Sequence, residues 1–410
     1  MTRKWSVLAF LCGIFVVYTV DRALLGLLAI PIQRDFGLTD VQLGVLSSAI
    51  FWTYAAVAPV SGLAGDRFNR ARLIGVAVVC WSAMAVCAGF AGGYATLMLF
   101  ASFALVIPQT FYSPTASALI ASVHRETRTV AMSFHQAAFY TGWFVSGASV
   151  AALLSLFGTW RSAFFAFGGL GLVLGAGFLA VFGRGSGTGG AGAAGGAKPT
   201  FAVSLRAYFG CKSALLASVA YVTCVFVSCG YCAWGPKFVA EKFGVSPAKA
   251  GTGVMFWHYA ASFAAILAAG FLTDAVVRRN QRFRIVLSSS ALALSVPALA
   301  LFAFGSTLPL TLAGAALLGA MLGVLGANQF TNLFDVIPSA CRAGSIGFLN
   351  VAAGLVGSLS PILLGWLSQT RGVRGLELGF AAMGAVLVLP IAAFAVSFFF
   401  TFNRERLTEQ

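Results

Sequence analysis

The sequence predicts an all-α integral membrane protein, with twelve transmembrane helices arranged as two pseudo-symmetric six-helix bundles. Three observations predict this fold class: the composition, the number of long apolar segments, and a glycine-rich stretch near the middle of the chain. Hydrophobic residues make up 59% of the 410 positions and charged residues 9%, whereas soluble domains are about 25% charged. A soluble globular protein is therefore excluded.

Twelve apolar segments are each long enough to cross the hydrocarbon core, which takes about 20 helical residues. Helices are expected because a helix satisfies its own backbone hydrogen bonds in lipid. The connections are short, so no room remains for a separate soluble domain. The predicted spans are residues 5–31, 41–62, 73–91, 94–121, 130–156, 160–183, 212–235, 248–272, 285–305, 309–335, 344–369 and 377–401.

The first span contains one adjacent pair of opposite charges, Asp21 and Arg22. A charge at membrane depth costs about 2.5 to 3.5 kcal/mol on insertion scales and usually faces a cavity or a partner. Tyr18 lies three residues before Asp21 and four before Arg22, so the three residues share one helix face. This pattern predicts a functional site. The alternative is an internally neutralised pair that only locks two helices together.

The second and eighth spans end in the same short motif. Gly62-x-x-x-Asp66 precedes a basic loop, and Gly270-x-x-x-Asp274 precedes another. Parallel halves of this kind are a known transporter design, with substrate bound between them near the midplane. The repeat predicts a transporter. The alternative for Asp66 is a loop salt bridge worth under about 1 kcal/mol.

Polar residues at helical spacing on four other spans predict a solute cavity. For any single residue the alternative is packing, or an interhelical hydrogen bond worth about 0.6 kcal/mol. Asp335 is expected near the cytoplasmic end of its span, as a gating residue. The members are Gln109, Tyr112 and Ser113 beside Pro108, then His135, Gln136 and Tyr140, then Trp257, His258 and Tyr259, and finally Asn328, Asn332 and Asp335.

A glycine-rich stretch separates the sixth span from the seventh, with eight glycines in residues 183–200. This composition is typical of a flexible linker. The predicted domains are an N-terminal bundle (1–183), a cytoplasmic linker (184–204) and a C-terminal bundle (205–410).

The net charge of +15 is unevenly distributed. With the N-terminus inside, the cytoplasmic segments hold 18 Lys and Arg and the outer loops hold 7. The positive-inside rule then predicts that both termini are cytoplasmic. The expected location is the inner membrane of a bacterial cell, and nucleic acid is not an expected partner.

Residues 62–70, GLAGDRFNR, resemble the loop 2–3 signature of the major facilitator superfamily, G-x-x-x-D-R-x-G-R. Asn69 replaces the second glycine, and asparagine also tolerates the left-handed backbone of a tight turn. Within the superfamily, Asp21-Arg22, residues 44–48 and residues 160–164 are similar to the anion:cation symporters and almost as similar to the spinster-like carriers.

The resemblance implies roles for individual residues. Asp66 would hold the inner gate through neighbouring cations, and the repeat supports a gating role for Gly62, Asp66, Arg67, Arg70 and Asp274. In the anion:cation symporters Arg22 would hold a substrate carboxylate and Asp21 would take the coupled proton. Both families commonly carry Arg and Glu where this chain has Ser102 and Gln109. Gln109 cannot titrate, so one usual carboxylate is missing. His135 and His258 titrate near physiological pH and could replace it, although a lone histidine in a bundle is more often a satisfied hydrogen-bonding residue.

The expected function is proton-coupled symport of a small organic anion, a carboxylate or sugar acid, by alternating access. One alternative is a spinster-like carrier or exporter of a larger amphipathic molecule or drug. Another is a non-transporting membrane sensor, to which only Ser102 and Gln109 point. No enzymatic activity, cofactor or metal site is expected, because the C-x-x-C at Cys229 and Cys232 lacks a second ligand pair. The expected partners are the substrate, H⁺ and the bilayer, and the expected state is a monomer.

Overall fold

The computed structural model describes residues 3–124, 127–183, 201–277, 283–334, 336–338 and 341–405. These residues form helices and connections, and no strand occurs among them. The chain divides into two compact units. The first contains Met1–Gly195, Gly235–Ala240 and Val245–Met255, and the second contains Gly196–Trp234, Glu241–Gly244 and Phe256–Gln410.

Nine α-helices and one π-helix lie in the first unit. They are α1 (Arg3–Leu27), α2 (Ala29–Phe36), α3 (Asp40–Arg67), α4 (Arg70–Gly89), α5 (Tyr94–Leu97), the π-helix Met98–Ala104, α6 (Val106–Thr110), α7 (Tyr112–Val123), α8 (Arg128–Phe157) and α9 (Arg161–Phe182).

The remaining helices belong wholly or mainly to the second unit. They are α10 (Phe201–Gly210), α11 (Lys212–Phe243), α12 (Pro247–Val277), α13 (Phe283–Phe304), α14 (Leu308–Phe334), α15 (Arg342–Gly357), α16 (Leu359–Val386), α17 (Val388–Val396), the π-helix Ser397–Thr401 and α18 (Phe402–Glu405). Residues 235–240 of α11 and the start of α12 belong to the first unit.

The described residues contain eleven apolar helical stretches long enough to cross a membrane. They provide twelve crossings, because the last stretch is long enough to cross twice. That stretch, Ser345–Thr401, has 57 residues, which is roughly 86 Å of helix against about 30 Å of hydrocarbon. Gly372 interrupts α16 with φ 57° and ψ −141°, a left-handed value that glycine adopts readily. The predicted twelve-helix architecture is confirmed.

Glycines let α9 approach α4 closely. A Cβ built on Gly168 would lie 2.9 Å from the carbonyl oxygen of Ser82, and one on Gly175 would lie 2.9 Å from Val78. Helices in lipid associate through such small residues because there is little hydrophobic force between them. The sequence GGLGLVLGAG of α9 therefore sets its packing partner.

Both ends of the first unit are tied by polar contacts. At one end, His124 Nε2 lies 2.9 Å from the carbonyl oxygen of Lys4. At the other, Asp35 accepts hydrogen bonds from Trp160 Nε1 at 2.9 Å and Arg161 Nη1 at 2.7 Å. Residues 160–164 are part of the family resemblance. The first two of them therefore have a structural role, because they hydrogen-bond to Asp35 on α2.

Asn69 does not adopt the left-handed turn expected for it. Its φ of −60° and ψ of 115° are extended, and its side-chain oxygen accepts a hydrogen bond from the backbone N–H of Arg72. Asparagine is a strong helix N-cap. The residue therefore starts α4, and capping explains why asparagine suits this position.

The predicted linker, 184–204, falls mainly outside the described residues. The description resumes at Phe201, where α10 begins. The domain boundaries stay a prediction.

Candidate functional site

Arg22 presents two hydrogen-bond donors without a protein partner. Its guanidinium carbon lies 5.3 Å from the ring centre of Tyr18 and 5.0 Å from that of Tyr54. Nε and Nη2 are buried, and neither has a hydrogen-bond partner among the described residues. These two nitrogens form one edge of the planar group, which can donate two parallel hydrogen bonds to a carboxylate. Two aromatic faces thus hold a cation that is suited to a planar anion.

Asp21 is buried next to Arg22 but does not pair with it. The residue is 6% exposed, and neither carboxyl oxygen has a hydrogen-bond partner in the described part of the chain. The indole of Trp81 lies beside this carboxyl, within range of a weak hydrogen bond, but the contact does not have the geometry of a hydrogen bond, and Nε1 has no other partner among the described residues. An ionised carboxyl is costly in such surroundings, so this group is suited to carrying a proton.

Aromatic rings join these two residues to the rest of the first unit. The ring of Tyr18 lies 6.0 Å from Trp81 and 5.7 Å from Tyr112, and Trp81 lies 5.7 Å from Tyr112. Sequence reasoning missed Tyr54 and Trp81 as site residues. The available signals were the lone tryptophan of the third span and the segment Phe51–Ala56 (FWTYAA), which recurs in similar form at residues 256–261 (FWHYAA).

Gln109 is a further buried polar group without a partner. It is 0% exposed, and neither its amide oxygen nor its amide nitrogen is hydrogen-bonded to a described residue. It follows the π-helix and Pro108, and π-helical segments are frequent at functional sites. Ser102, inside that π-helix, instead donates to the carbonyl oxygen of Leu46 at 2.8 Å, which ties this span to α3.

Tyr112 and His135 are engaged with each other. The hydroxyl of Tyr112 lies 2.7 Å from the carbonyl oxygen of Leu11 and 3.1 Å from His135 Nε2. The ring of His135 stacks on Phe15 at 4.2 Å. The hydroxyl of Tyr112 therefore already has hydrogen-bond partners within the protein.

The two other predicted residues on α8 differ in burial. Gln136 is exposed and Tyr140 is half-buried. Tyr140 makes a ring contact with Phe139 at 5.4 Å. These contacts do not join either residue to Arg22.

The predicted site residues of the second unit are held in different ways. Trp257 is 50% exposed. His258 is buried, with Nδ1 3.2 Å from the carbonyl oxygen of Ala315 and its ring stacked on Tyr231. Asn328 donates to the carbonyl oxygen of Val324, one turn earlier on its own helix, as the packing alternative expected.

The predicted gating residues fall largely outside the description. The backbone at Gly62, Asp66, Arg67 and Asp274 is helical, but the structure does not describe these side chains. The same holds for Asn332, a predicted substrate-binding residue. Asp335 lies outside the described residues. Arg70 is half-buried at the first position of α4.

A buried lysine in the first unit was also missed. Lys237 is 2% exposed; its Nζ donates to Gln33 Oε1 at 2.7 Å and forms an ion pair with Asp40. Gln33 Nε2 in turn donates to Asp40 Oδ1 at 2.6 Å. From sequence, Lys237 looked like one of several outer-loop cations. The sequence carried no signal of this burial, because Lys237 lies beyond the predicted end of the seventh span at residue 235, whereas α11 continues to Phe243.

Comparison with known proteins places this arrangement in a family. Residues 10–361 match the model described as Major Facilitator Superfamily. "Probable anion transporter 4, chloroplastic" of Oryza sativa subsp. japonica is 27% identical over 176 residues, 42% of this chain and 29% of that protein. "Protein spinster homolog 3" of Danio rerio is 30% identical over 180 residues, 42% of this chain and 36% of that protein. The matched stretches thus span about a third of each relative's length.

A solved structure extends the likeness to the whole chain. The crystal structure of a bacterial homologue of the human lysosomal transporter spinster, inward-facing and unoccupied, matches with a TM-score of 0.85 at 20% identity. The match covers 100% of both chains. At this identity the likeness shows the fold. The family match and the shared fold establish that this chain belongs to the Major Facilitator Superfamily.

Proposed function

We propose that this protein is a secondary active transporter that carries a small organic anion, a carboxylate or sugar acid, together with a proton by alternating access. One observation carries the proposal. Asp21 is buried and the adjacent Arg22 is half-buried with Nε and Nη2 shielded from solvent, and among the described residues these groups are paired neither with each other nor with another side chain.

The Arg22 edge supports an organic anion as cargo. A carboxylate fits the Nε and Nη2 donors with two parallel hydrogen bonds, and Arg is the residue suited to such planar recognition. Tyr18 and Tyr54 fix the guanidinium between their rings. One matched relative carries the name of an anion transporter, which agrees with this cargo class.

Asp21 supports a proton as the coupled ion. A carboxyl group in low dielectric is stable when neutral and costly when charged. Protonation of Asp21 would remove one negative charge close to the bound anion, which favours loading of both together. Gln109 cannot titrate, so Asp21 carries the first proton in this scheme.

Topology and gating complete the proposal. Both termini lie in the cytoplasm of a bacterial cell and the chain acts as a monomer in the inner membrane. Asp66, with Arg67 and Arg70, stabilises the inner gate, and Asp274 and Asp335 act at the equivalent end of the second half. Trp257, His258, Asn328 and Asn332 contribute to the second half of the cavity.

The main alternative is a spinster-like carrier or exporter of a larger amphipathic molecule. The name of one relative and the aromatic rings around Tyr18, Trp81 and Tyr112 favour it. A non-transporting sensor is a third reading. It is consistent with Ser102, which stands where the related families carry Arg and which hydrogen-bonds to Leu46 on α3. A sensor would bind a ligand but would not move it.

The first experiment is a thermal-shift screen of the purified protein, because a ligand stabilises the state that it binds. The probes are D-gluconate, D-glucarate, lactate and a lysophospholipid, each at two pH values. Stabilisation by the sugar acids that Arg22→Lys weakens and Arg22→Ala removes is expected. Stabilisation by the lysophospholipid alone would favour the spinster-like alternative.

The second experiment is uptake of the stabilising acid into proteoliposomes under an imposed pH gradient. Asp21→Asn mimics the protonated acid permanently, so it should abolish uphill accumulation and keep binding. Binding without any uptake by the wild type would support the sensor. Accumulation by Asp21→Asn equal to wild type would contradict the assignment of Asp21.

A further inference from the structure

Three groups from three helices of the first unit form a short hydrogen-bonded chain. The hydroxyl oxygen of Tyr112 on α7 lies 2.7 Å from the carbonyl oxygen of Leu11 on α1 and 3.1 Å from Nε2 of His135 on α8. Tyr112 is 0% and His135 1% exposed. These hydrogen-bonded groups are therefore buried in the interior of the first unit.

These two hydrogen bonds determine which nitrogen of His135 carries the hydrogen. A phenol has one hydrogen to donate, and a carbonyl oxygen can only accept. The hydrogen of Tyr112 must go to Leu11, which leaves the phenol oxygen as an acceptor for His135 Nε2–H. The neutral ring is thus in the Nε2–H tautomer, assigned from the hydrogen-bond network, and Nδ1 carries a lone pair.

Nδ1 of His135 has no hydrogen-bond donor facing it among the described residues. It is buried and has no hydrogen-bond partner among the described residues, and each such group in a native structure calls for an explanation. The ring stacks on Phe15 at 4.2 Å with an angle of 17° between the planes. A 180° flip of the ring would keep this stack but would break the hydrogen bond to Tyr112.

The other two of the three histidines are arranged differently. His124 has partners at both nitrogens, Thr127 Oγ1 at 3.0 Å and the carbonyl oxygen of Lys4 at 2.9 Å. His258 places Nδ1 3.2 Å from the carbonyl oxygen of Ala315, which requires the hydrogen on Nδ1, the opposite tautomer. Of the three, only His135 has a buried ring nitrogen without a described partner.

The charged groups around His135 come mainly from α1. Asp21 and Arg22 lie six and seven residues beyond Phe15, roughly 9 to 10 Å along the helix. On α9 the titratable group is Arg161, bound to Asp35 at the far end. On α7 Tyr112 contacts the ring directly, and on α1 Cys12 and Tyr18 interact electrostatically with Tyr112.

We propose that Nδ1 of His135 is a second proton acceptor of the transporter, and that Tyr112 is the positioning residue that keeps this lone pair available. The coupling between the two sites rests on the proposed function: an anion bound at Arg22 favours protonation of His135. The proton comes from hydronium in the aqueous phase, which leaves a water molecule; it adds to the Nδ1 lone pair and gives an imidazolium whose Nε2–H still donates to Tyr112. The carboxylate compensates the new positive charge.

The tautomer is tested by nitrogen NMR on the full-length protein labelled with ¹⁵N-histidine. With three histidines, single His→Gln variants assign every signal. Wild-type His135 should show a pyridine-type Nδ1 and a protonated Nε2, and His258 should show the reverse. Tyr112→Phe removes only the hydroxyl, so His135 should become a tautomer mixture. An Nδ1–H tautomer in the wild type, or an unchanged one in Tyr112→Phe, would overturn the role of Tyr112.

Proton uptake is tested by acidification and by D-gluconate as the anion probe. Acidification should convert Nδ1 to the protonated type before the protein unfolds, and failure to do so overturns the acceptor. In weakly buffered solution, gluconate should raise the protonated fraction of His135 at fixed pH and withdraw protons from solution. His135→Gln keeps an N–H donor for Tyr112 but lacks Nδ1, so it should lose that part of the uptake, whereas His258→Gln should retain it.

The outcomes separate this inference from the proposed function. Gluconate that stabilises the protein without changing the His135 signals overturns the coupling, with Arg22 binding intact. Gluconate that fails to stabilise the protein counts against the anion site and removes the coupling with it. In that case the tautomer and acidification results still decide whether His135 is an acceptor.

Discussion

Asp21 and Arg22 are consecutive on α1, yet their side chains form no ion pair. Successive helical residues point about 100° apart, so their surroundings differ. Arg22 lies between the rings of Tyr18 and Tyr54, and Asp21 lies beside Trp81. The two charges are thus presented separately, as a site for an anion and a proton requires.

The free energy of unfolding should show that these two residues are nearly independent. For Asp21→Asn, Arg22→Gln and the double variant, we expect a coupling energy of about 1 kcal/mol or less, measured by unfolding in detergent. Breaking a buried ion pair would instead cost roughly 3 to 5 kcal/mol. Two unstable single variants and a stable double variant would contradict the geometry.

Tyr54 should contribute to anion affinity through Arg22. Tyr54→Leu removes the ring 5.0 Å from the guanidinium, and a cation–π contact is worth about 0.5 to 2 kcal/mol. Affinity for the stabilising acid should therefore fall about 2- to 30-fold, measured by titration calorimetry. Tyr54→Phe keeps the ring and should bind almost normally. Equal losses in both variants would assign the effect to the hydroxyl instead.

Lys237 and Asp40 should behave as a buried ion pair. Lys237→Met leaves the carboxylate of Asp40 without its cation, which should cost roughly 3 to 5 kcal/mol of stability. The double variant Lys237→Met with Asp40→Asn should be more stable than either single variant. Lys249 is exposed, so Lys249→Met is the matched control and should stay within about 0.5 kcal/mol. Thermal unfolding that does not distinguish Lys237→Met from Lys249→Met would contradict the pairing.

Asp35 should make stability depend on acid pH. Hydrogen bonds from Trp160 and then Arg161 hold the pKa of Asp35 below its usual range. A carboxyl whose folded pKa is lowered contributes its full stability above the unfolded value, about 3.9, and loses it as pH falls through the folded value. Wild type should therefore be more stable than Asp35→Asn at neutral pH, and the difference should vanish in acid.

The control for this pH effect is Trp160→Phe, which keeps the ring and removes the indole N–H. It should bring the loss of stability to a higher pH than in wild type, measured by thermal unfolding across a pH series. A difference between wild type and Asp35→Asn that persists unchanged into acid would argue that the carboxylate is not stabilised by these hydrogen bonds.

The twelve crossings and the position of the first-span charges could be predicted because their causes are local. A backbone in lipid must satisfy its own hydrogen bonds, so run length and hydrophobicity predict helices directly. Gly372, with its left-handed backbone, lies in the predicted connection between spans eleven and twelve. The cost of a charge in lipid likewise marked Asp21 and Arg22 without any knowledge of their neighbours.

What those charges contact depended on side chains distant in the chain. No sequence pattern indicates that the Tyr112 hydroxyl donates to the carbonyl oxygen of Leu11, 101 residues earlier. Nor does any pattern indicate that Lys237 is buried against Asp40, 197 residues away. Even Asn69, expected in a left-handed turn, proved to be an extended cap, because the start of α4 supplied an N–H to accept.

The sequence by itself determined the class of fold, the number of spans and the place of the first-span charges, because these follow from the free energy of each segment in lipid. Only the tertiary structure decided which polar groups are satisfied and which are left without a partner. That distinction is physical: hydrogen-bond directions and aromatic contacts depend on how helices pack, and Arg22, Asp21 and His135 differ from the other polar residues only in what packing brought beside them.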